Sequence, residues 1–246
     1  MIEVHDLTKS FKDKKRGTIR AVDHVSFKCE AGQVYGLLGL NGAGKTTTLR
    51  LLATMLKPDE GGGTIAGHDL LTAPEAVRNH IGFHTGNTGL YMRLTGREIL
   101  MYFGKLHGMN GSDLNRRIDE FASMLNMSEF LDTRVDKYST GMKQKVNIAR
   151  TLVHDPPVVI LDEPTLGLDV LTSRAIVDFI GIAKRQGKAV ILSTHIMHEA
   201  AKLCDIIGVI HGGKMIKQGT LDALKSSYSS DDLDDIFVSI LEGGSA

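Results

Sequence analysis

The chain has no tryptophan, only five prolines and only two cysteines in 246 residues. Cys29 and Cys204 have no CxxC spacing, which argues against a zinc ribbon or a redox motif and fits a reducing, cytoplasmic setting. A surplus of charge is missing too. Lys plus Arg and Asp plus Glu number 29 each, so no bulk field draws the chain to nucleic acid or to an anionic membrane. No stretch approaches the roughly 18 consecutive apolar residues of a membrane span. The opening MIEVHDLTKSFKDKK lacks the apolar core of a signal peptide. If the protein works at a membrane, another chain must supply the membrane part.

What remains is ordinary for a globular protein: 42% hydrophobic and 24% charged residues, enough for one large domain or two joined lobes. The runs Lys12-Asp13-Lys14-Lys15-Arg16 and Asp231-Asp232-Leu233-Asp234-Asp235 read as solvated loops or tails, and the tail after Ser226 as disordered. Apolar runs predict strands at Ile2–His5, Ala21–Cys29, Gln33–Leu38, Ile81–Phe83, Val158–Leu161, Ala189–Ser193, Ile206–Ile210 and Lys214–Gln218. Several are apolar throughout, as in strands buried on both faces. Helical spacing appears between them, for example Ile176, Phe179, Ile180 and Ala183. The alternation predicts an α/β sheet.

From about Gly86 to Val153 the pattern changes to helices alone. One stripe is Ile99, Tyr102, Phe103 and Leu106; another is Leu114, Ile118, Phe121 and Leu125. Met101, Met109, Met124 and Met127 read as gap-filling core. This is a helical subdomain inserted into the α/β core.

Gly39-Leu40-Asn41-Gly42-Ala43-Gly44-Lys45-Thr46 matches GxxxxGK[ST], after a strand and before a helix, which is the context this motif requires. Glycines let the loop turn its N–H groups toward phosphate oxygens, and the helix N-terminus adds positive potential. Lys45 is expected on the β- and γ-phosphates, the Thr46 hydroxyl on Mg²⁺, and Thr47 on the α-phosphate. Val158–Leu161 runs into Asp162 and Glu163. A carboxylate at such a strand end is placed to hold Mg²⁺ through Asp162, and the next one to deprotonate the attacking water through Glu163.

Ser139-Thr140-Gly141-Met142-Lys143-Gln144, 23 residues before Asp162, resembles the signature segment of ATP-binding cassette (ABC) proteins. Tyr138, Thr140 and Met142-Lys143 depart from its commonest form, while Ser139 and Gly141 keep the key positions. Gly167-Leu168-Asp169 resembles the family's D-loop, although Leu166 stands where Ser is usual. His195, after the strand Val190-Ile191-Leu192, matches the switch histidine. Phe11 matches the aromatic that stacks on adenine. His198 and Glu199 read as a solvent-facing helix rather than metal ligands. Register on Ile81-Gly82-Phe83 and Gly89-Leu90-Tyr91 puts Gly86 where the family carries a Mg²⁺-binding Gln; Asn87, Thr85 or water would then substitute.

The resemblance spans the chain to about Leu224, and Ser139–Val146 with His154-Asp155-Pro156-Pro157 is especially similar to NatA-type sodium-efflux subunits of the ABC-2 class. It implies a P-loop ABC nucleotide-binding domain over residues 1–225: an α/β core, an N-terminal antiparallel β region and a helical subdomain at about 86–153. Residues 226–246 form an acidic tail. It further implies ATP and Mg²⁺ as ligands and head-to-tail dimerisation. In that dimer Ser139 and Gly141 close on the other copy's γ-phosphate, and Asp169 links the sites. A multi-span permease would dock around Gly86–Arg97, holding the protein at the inner face of the membrane. Relatives of that group also export drugs, lipids or polysaccharides. The rival readings are a soluble ABC ATPase acting on ribosomes or nucleic acid, and an ATP-sensing module without transport. The single site, with no heptad run or cysteine cluster, weighs against the first. Glu163 with His195 weighs against the second. A P-loop kinase or GTPase needs no signature segment.

Overall fold

The structure, a computed structural model, describes residues 1–15, 17–86 and 89–243. In chain order the elements begin with β1 (Ile2–Asp13), β2 (Gly17–Cys29), β3 (Val34–Leu38), α1 (Lys45–Leu52), β4 (Glu60–Ile65), β5 (His68–Asp69), α2 (Pro74–Asn79) and β6 (Ile81–Thr85). The helical stretch holds α3 (Gly96–Leu106), α4 (Gly111–Met124), a 3₁₀ turn (Val135–Lys137) and α5 (Thr140–Leu152). The chain then forms β7 (Val158–Asp162), α6 (Val170–Arg185), β8 (Ala189–Thr194), α7 (Met197–Leu203), β9 (Ile206–His211), β10 (Lys214–Thr220), α8 (Leu221–Tyr228) and α9 (Leu233–Leu241).

Two sheets result. The first is antiparallel, in the order β2-β1-β4-β5; the second runs β10-β9-β3-β8-β7-β6, parallel except for β10. The alternating side chains of the central strands feed two cores, as the period of two demands. Val34, Leu38, Val159, Leu161, Val190 and Leu192 face one cluster, with α5, α6 and the helical subdomain. Tyr35, Leu37, Val158, Ile160, Ala189 and Ile191 face the other, with α1 and the antiparallel sheet. Helices on both faces are what makes such strands apolar throughout.

The methionines fill gaps as expected. Met127 is fully buried, and Met101, Met109 and Met124 pack on the first cluster. The α4 stripe is buried at all four positions. The α3 stripe is out of phase: Tyr102 and Leu106 are exposed, and the buried face is Gly96, Ile99, Leu100 and Gly104. A methyl added at Gly104 would lie 2.3 Å from Leu114 Cδ1, so this bare position is where α3 and α4 approach.

The expected disorder of the acidic tail is not what residues 233–241 show. Asp232 caps α9 by accepting from the Asp234 N–H at 2.8 Å. Asp234 and Asp235 sit in its first turn, where the helix dipole favours anions. Leu233, Ile236, Phe237 and Ile240 are buried in the first cluster. The solvent-facing reading of α7 also fails at one position: His198 is exposed, but Glu199 is buried and accepts from Thr165 Oγ1 at 2.6 Å.

Candidate nucleotide site

Register alone assembles the site. Thr85 pairs with Asp162, Asp162 with Ser193, and Leu38 with Thr194. The residues that follow, Gly86, Glu163, Gly39 and His195, therefore emerge side by side at the carboxyl ends of four neighbouring parallel strands. That edge is where open α/β sheets bind ligands.

The loop Gly39–Gly44 leads straight into α1. Gly44 sits at φ +112°, and a Cβ there would lie 2.4 Å from the Ala21 carbonyl, so no other residue fits. The first-turn N–H groups at Lys45, Thr46 and Thr47 have no acceptor within their helix and are left for an anion. Leu40, Asn41, Gly42, Gly44, Lys45, Thr46 and Thr47 line one hollow with Glu163. Ala43 is buried beneath it, its carbonyl accepting from the Gly213 N–H at 2.9 Å.

Lys45 is a cation only 4% exposed. Its ammonium donates to the carbonyls of Gly39 (2.7 Å) and Leu40 (3.3 Å) and lies 3.3 Å from Glu163 Oε1. The same oxygen is 3.3 Å from His195 Nδ1. Glu163 thus stands between the two groups expected to bear the phosphate charge. Its own backbone is left-handed, φ +46°, and its N–H is held by both the carbonyl and the hydroxyl of Ser193, each at 3.1 Å.

Beside it, buried Asp162 accepts from Ser193 Oγ at 2.6 Å on Oδ1. Thr46, Asp162, Glu163, Asn41, Thr85, Gly86, Thr140 and Gln144 border one cavity of 390 Å³. The donor set fits Mg²⁺: hydroxyl and carboxylate oxygens are the hard ligands it prefers, and few are needed because phosphates and water complete its octahedron. The described residues hold no cluster of three or more His, Cys, Asp or Glu that would make a metal cage by itself. Gly86 is an open turn where an added Cβ would meet nothing within 4 Å. Thr85 borders the cavity; Asn87, the other expected substitute, lies outside the described residues.

The remaining expected residues do not line the hollow that holds Lys45. Ser139 caps α5, accepting from the Met142 N–H at 3.2 Å, and is otherwise exposed. Gly141 is buried where a Cβ would meet Thr172 Oγ1 at 2.8 Å. Asp169 caps α6, accepting from the Thr172 N–H (2.9 Å) and hydroxyl (2.8 Å), and these bonds pull its carboxyl below the usual range. Phe11, on β1 opposite Ile19, is 40% exposed with Lys9 Nζ 6.0 Å from its ring.

Sequence reasoning gave no role of its own to three polar residues the structure puts at the site. Ser193 grips the turn between Asp162 and Glu163. Gln144 and His84 meet at 3.0 Å behind it. The available signal was a polar residue within an otherwise apolar strand, as at Ser193 and His84.

Comparison with known proteins agrees with this geometry. A family model described as ABC transporter matches residues 22–166. The chain is 44% identical to the ABC transporter ATP-binding protein NatA of Bacillus subtilis over 245 residues, 99% of each chain. A solved structure of an ATP binding subunit of an ABC transporter superposes with TM-score 0.88 at 30% identity, over 98% of this chain and 99% of that one. A dimeric post-hydrolysis structure of the ATP-binding cassette MJ0796, bound to ADP and Pi, gives 0.81 at 25% identity, over 89% and 98%.

Proposed function

The chain belongs to the ABC transporter family as a Mg²⁺-dependent ATPase, and from that premise we propose that it powers an exporter by closing head to tail on a second copy of itself. The observation that carries this reading is Glu163 Oε1 held 3.3 Å from both Lys45 and His195, at the mouth of the phosphate hollow.

In the proposed cycle, loop N–H groups and Lys45 take the phosphates, so the ammonium exchanges its bonds to Gly39 and Leu40 for phosphate oxygens. Thr46 and Asp162 would hold Mg²⁺, which when bound would screen the charge on the phosphoryl oxygens. Glu163 accepts the proton of the attacking water. Lys45 and His195 stabilise the charge leaving with phosphate. Phe11 stacks on adenine. Ser139 and Gly141 complete the other copy's site and Asp169 bridges the two. That Ser139 is exposed in the single chain supports this, because a clamp for a neighbour must face outward.

Among the described residues no helix is long and apolar enough to cross a membrane. The reading therefore requires a multi-span permease, received in the groove beside residues 89–97 and the helical subdomain, with the subunit peripheral at the inner face. The resemblance of Ser139–Val146 and His154-Asp155-Pro156-Pro157 to NatA-type sodium-efflux subunits makes sodium ion the proposed cargo; nothing in the site itself selects it.

Glu163→Gln tests the motor. It should bind ATP normally, lose roughly 100-fold or more of its turnover, and run as a dimer in ATP and Mg²⁺ on size exclusion. A variant that stays monomeric at saturating ATP refutes the head-to-tail model. Gentle extraction of the trapped variant from native membranes should bring down a multi-span protein in equal amount. Recovery of ribosomes or nucleic acid instead would favour the soluble ATPase.

A further inference from the structure

Gln144 lies on α5, on the helix Ser139 caps, and makes two bonds with one nitrogen. Its Nε2 donates to the Pro164 carbonyl at 2.6 Å and lies 3.0 Å from His84 Nε2. A backbone carbonyl can only accept, so the Pro164 contact fixes which end of the amide faces it. His84 Nε2 then accepts and its proton sits on Nδ1. Burial, and then the Arg150 guanidinium, push the His84 pKa down to about 4, so the ring is neutral near pH 7 and can accept.

Pro164 directly follows Glu163. The turn between them is left-handed at Glu163 and needs support, because a non-glycine residue there costs about 1 kcal/mol. Ser193 supplies that support from the sheet and Gln144 from the helical subdomain. The other place from which such a link would come, residue 86, is a glycine with open space where a side chain would start. Gln144 also borders the cavity shared by Thr46, Asp162 and Glu163.

We propose that Gln144 is a positioning residue that holds the Glu163–Pro164 turn from the chain's own signature helix, so that hydrolysis in one copy depends on the placement of that copy's own helical lobe. The inference rests on the reading of Glu163 as the base. It gives α5 two duties. The N-terminal end serves the nucleotide on the other copy, and the flank one turn further holds the base of its own copy. Movement of the helical lobe then changes both sites at once.

Gln144→Met tests this, since it keeps length and apolar bulk and deletes the donor. Its kcat should fall roughly tenfold, as expected when a reacting group loses its placement. ATP affinity, measured by titration, should stay within about twofold because no phosphate contact is touched. Hydrogen exchange at the amides of Glu163, Thr165 and Leu166 should quicken in the free chain while amides 42–48 keep their rates. In the Glu163→Gln background, Gln144→Met should add no further loss. Gln144→Glu, which sets a carboxylate against the carbonyl, should show the same pattern if the methionine variant folds poorly. A fully active Gln144→Met beside a slow Glu163→Gln overturns the proposal alone, as does a loss that adds fully to Glu163→Gln. A Glu163→Gln chain with normal turnover overturns the underlying reading and the proposal with it.

Discussion

His84 is 1% exposed within a strand of apolar neighbours, and its pKa is held near 4 against an unfolded value near 6.5. Between those values the unfolded chain binds the proton that the folded chain refuses, so stability rises with pH through that window and falls on acidification. At pH 5 the loss from this one ring is about 2 kcal/mol relative to pH 7.5. His154, which burial likewise pushes down to about 4, acts in the same direction. Thermal midpoints of His84→Gln and the parent between pH 5 and 7.5 should therefore converge as pH falls. A parent whose midpoint is flat over that range contradicts the assignment. At this scale the sequence was very readable where chemistry is carried by neighbours in the chain. Residues 39–47 and the pair Asp162-Glu163 are local motifs, and the structure places them at one strand edge. Ser193 and Gln144 were not readable, because their partners are fixed by strand register and helix docking over 20 to 31 residues of chain.

Among the elements, α9 was concealed by its acidic start. Four aspartates in five residues suggested a solvated tail, yet the acidic residues cap and open a helix whose next two turns are apolar. Phe237 and Ile236 are buried with Leu233 and Ile240. Phe237→Ala should cost about 3 kcal/mol in denaturant unfolding, the usual penalty for emptying a buried aromatic site; no change would mean the helix is not docked. The strands β4 and β5 were invisible for another reason. Glu60-Gly61-Gly62-Gly63 has almost no side chains to alternate, and β4 is set instead by its pairing with β1, Ile2 opposite Ile65 and Val4 opposite Gly63. The α3 stripe was mistaken because apolar spacing counts Tyr102 and Leu106 as core. The docked face is chosen by bare Gly104 against Leu114, a contact between two helices that one helix's periodicity does not contain.

Across the whole molecule, one apolar cluster runs from Ile99 and Phe121 in the helical subdomain through Ile148 and Val159 to Ile176 and Ile236. The two lobes share that core, so the chain should unfold in a single calorimetric transition, and two separated peaks would show them to be independent. Saturating ATP should raise the transition by mass action, by about 2.7 kcal/mol at 100 times the dissociation constant. Lys45→Ala should lose that shift while keeping the transition. The two cysteines bear on how such motions are observed. Cys29 and Cys204 lie in the packed interior, and burial pushes both thiols up to about 12, so neither is a nucleophile at neutral pH. With no tryptophan anywhere in the chain, the parent is also spectroscopically dark in the indole region. A single cysteine or tryptophan placed on the outer face of α5 or beside Asp169 would report alone. The native protein is thus already the silent background that distance measurements between two copies require.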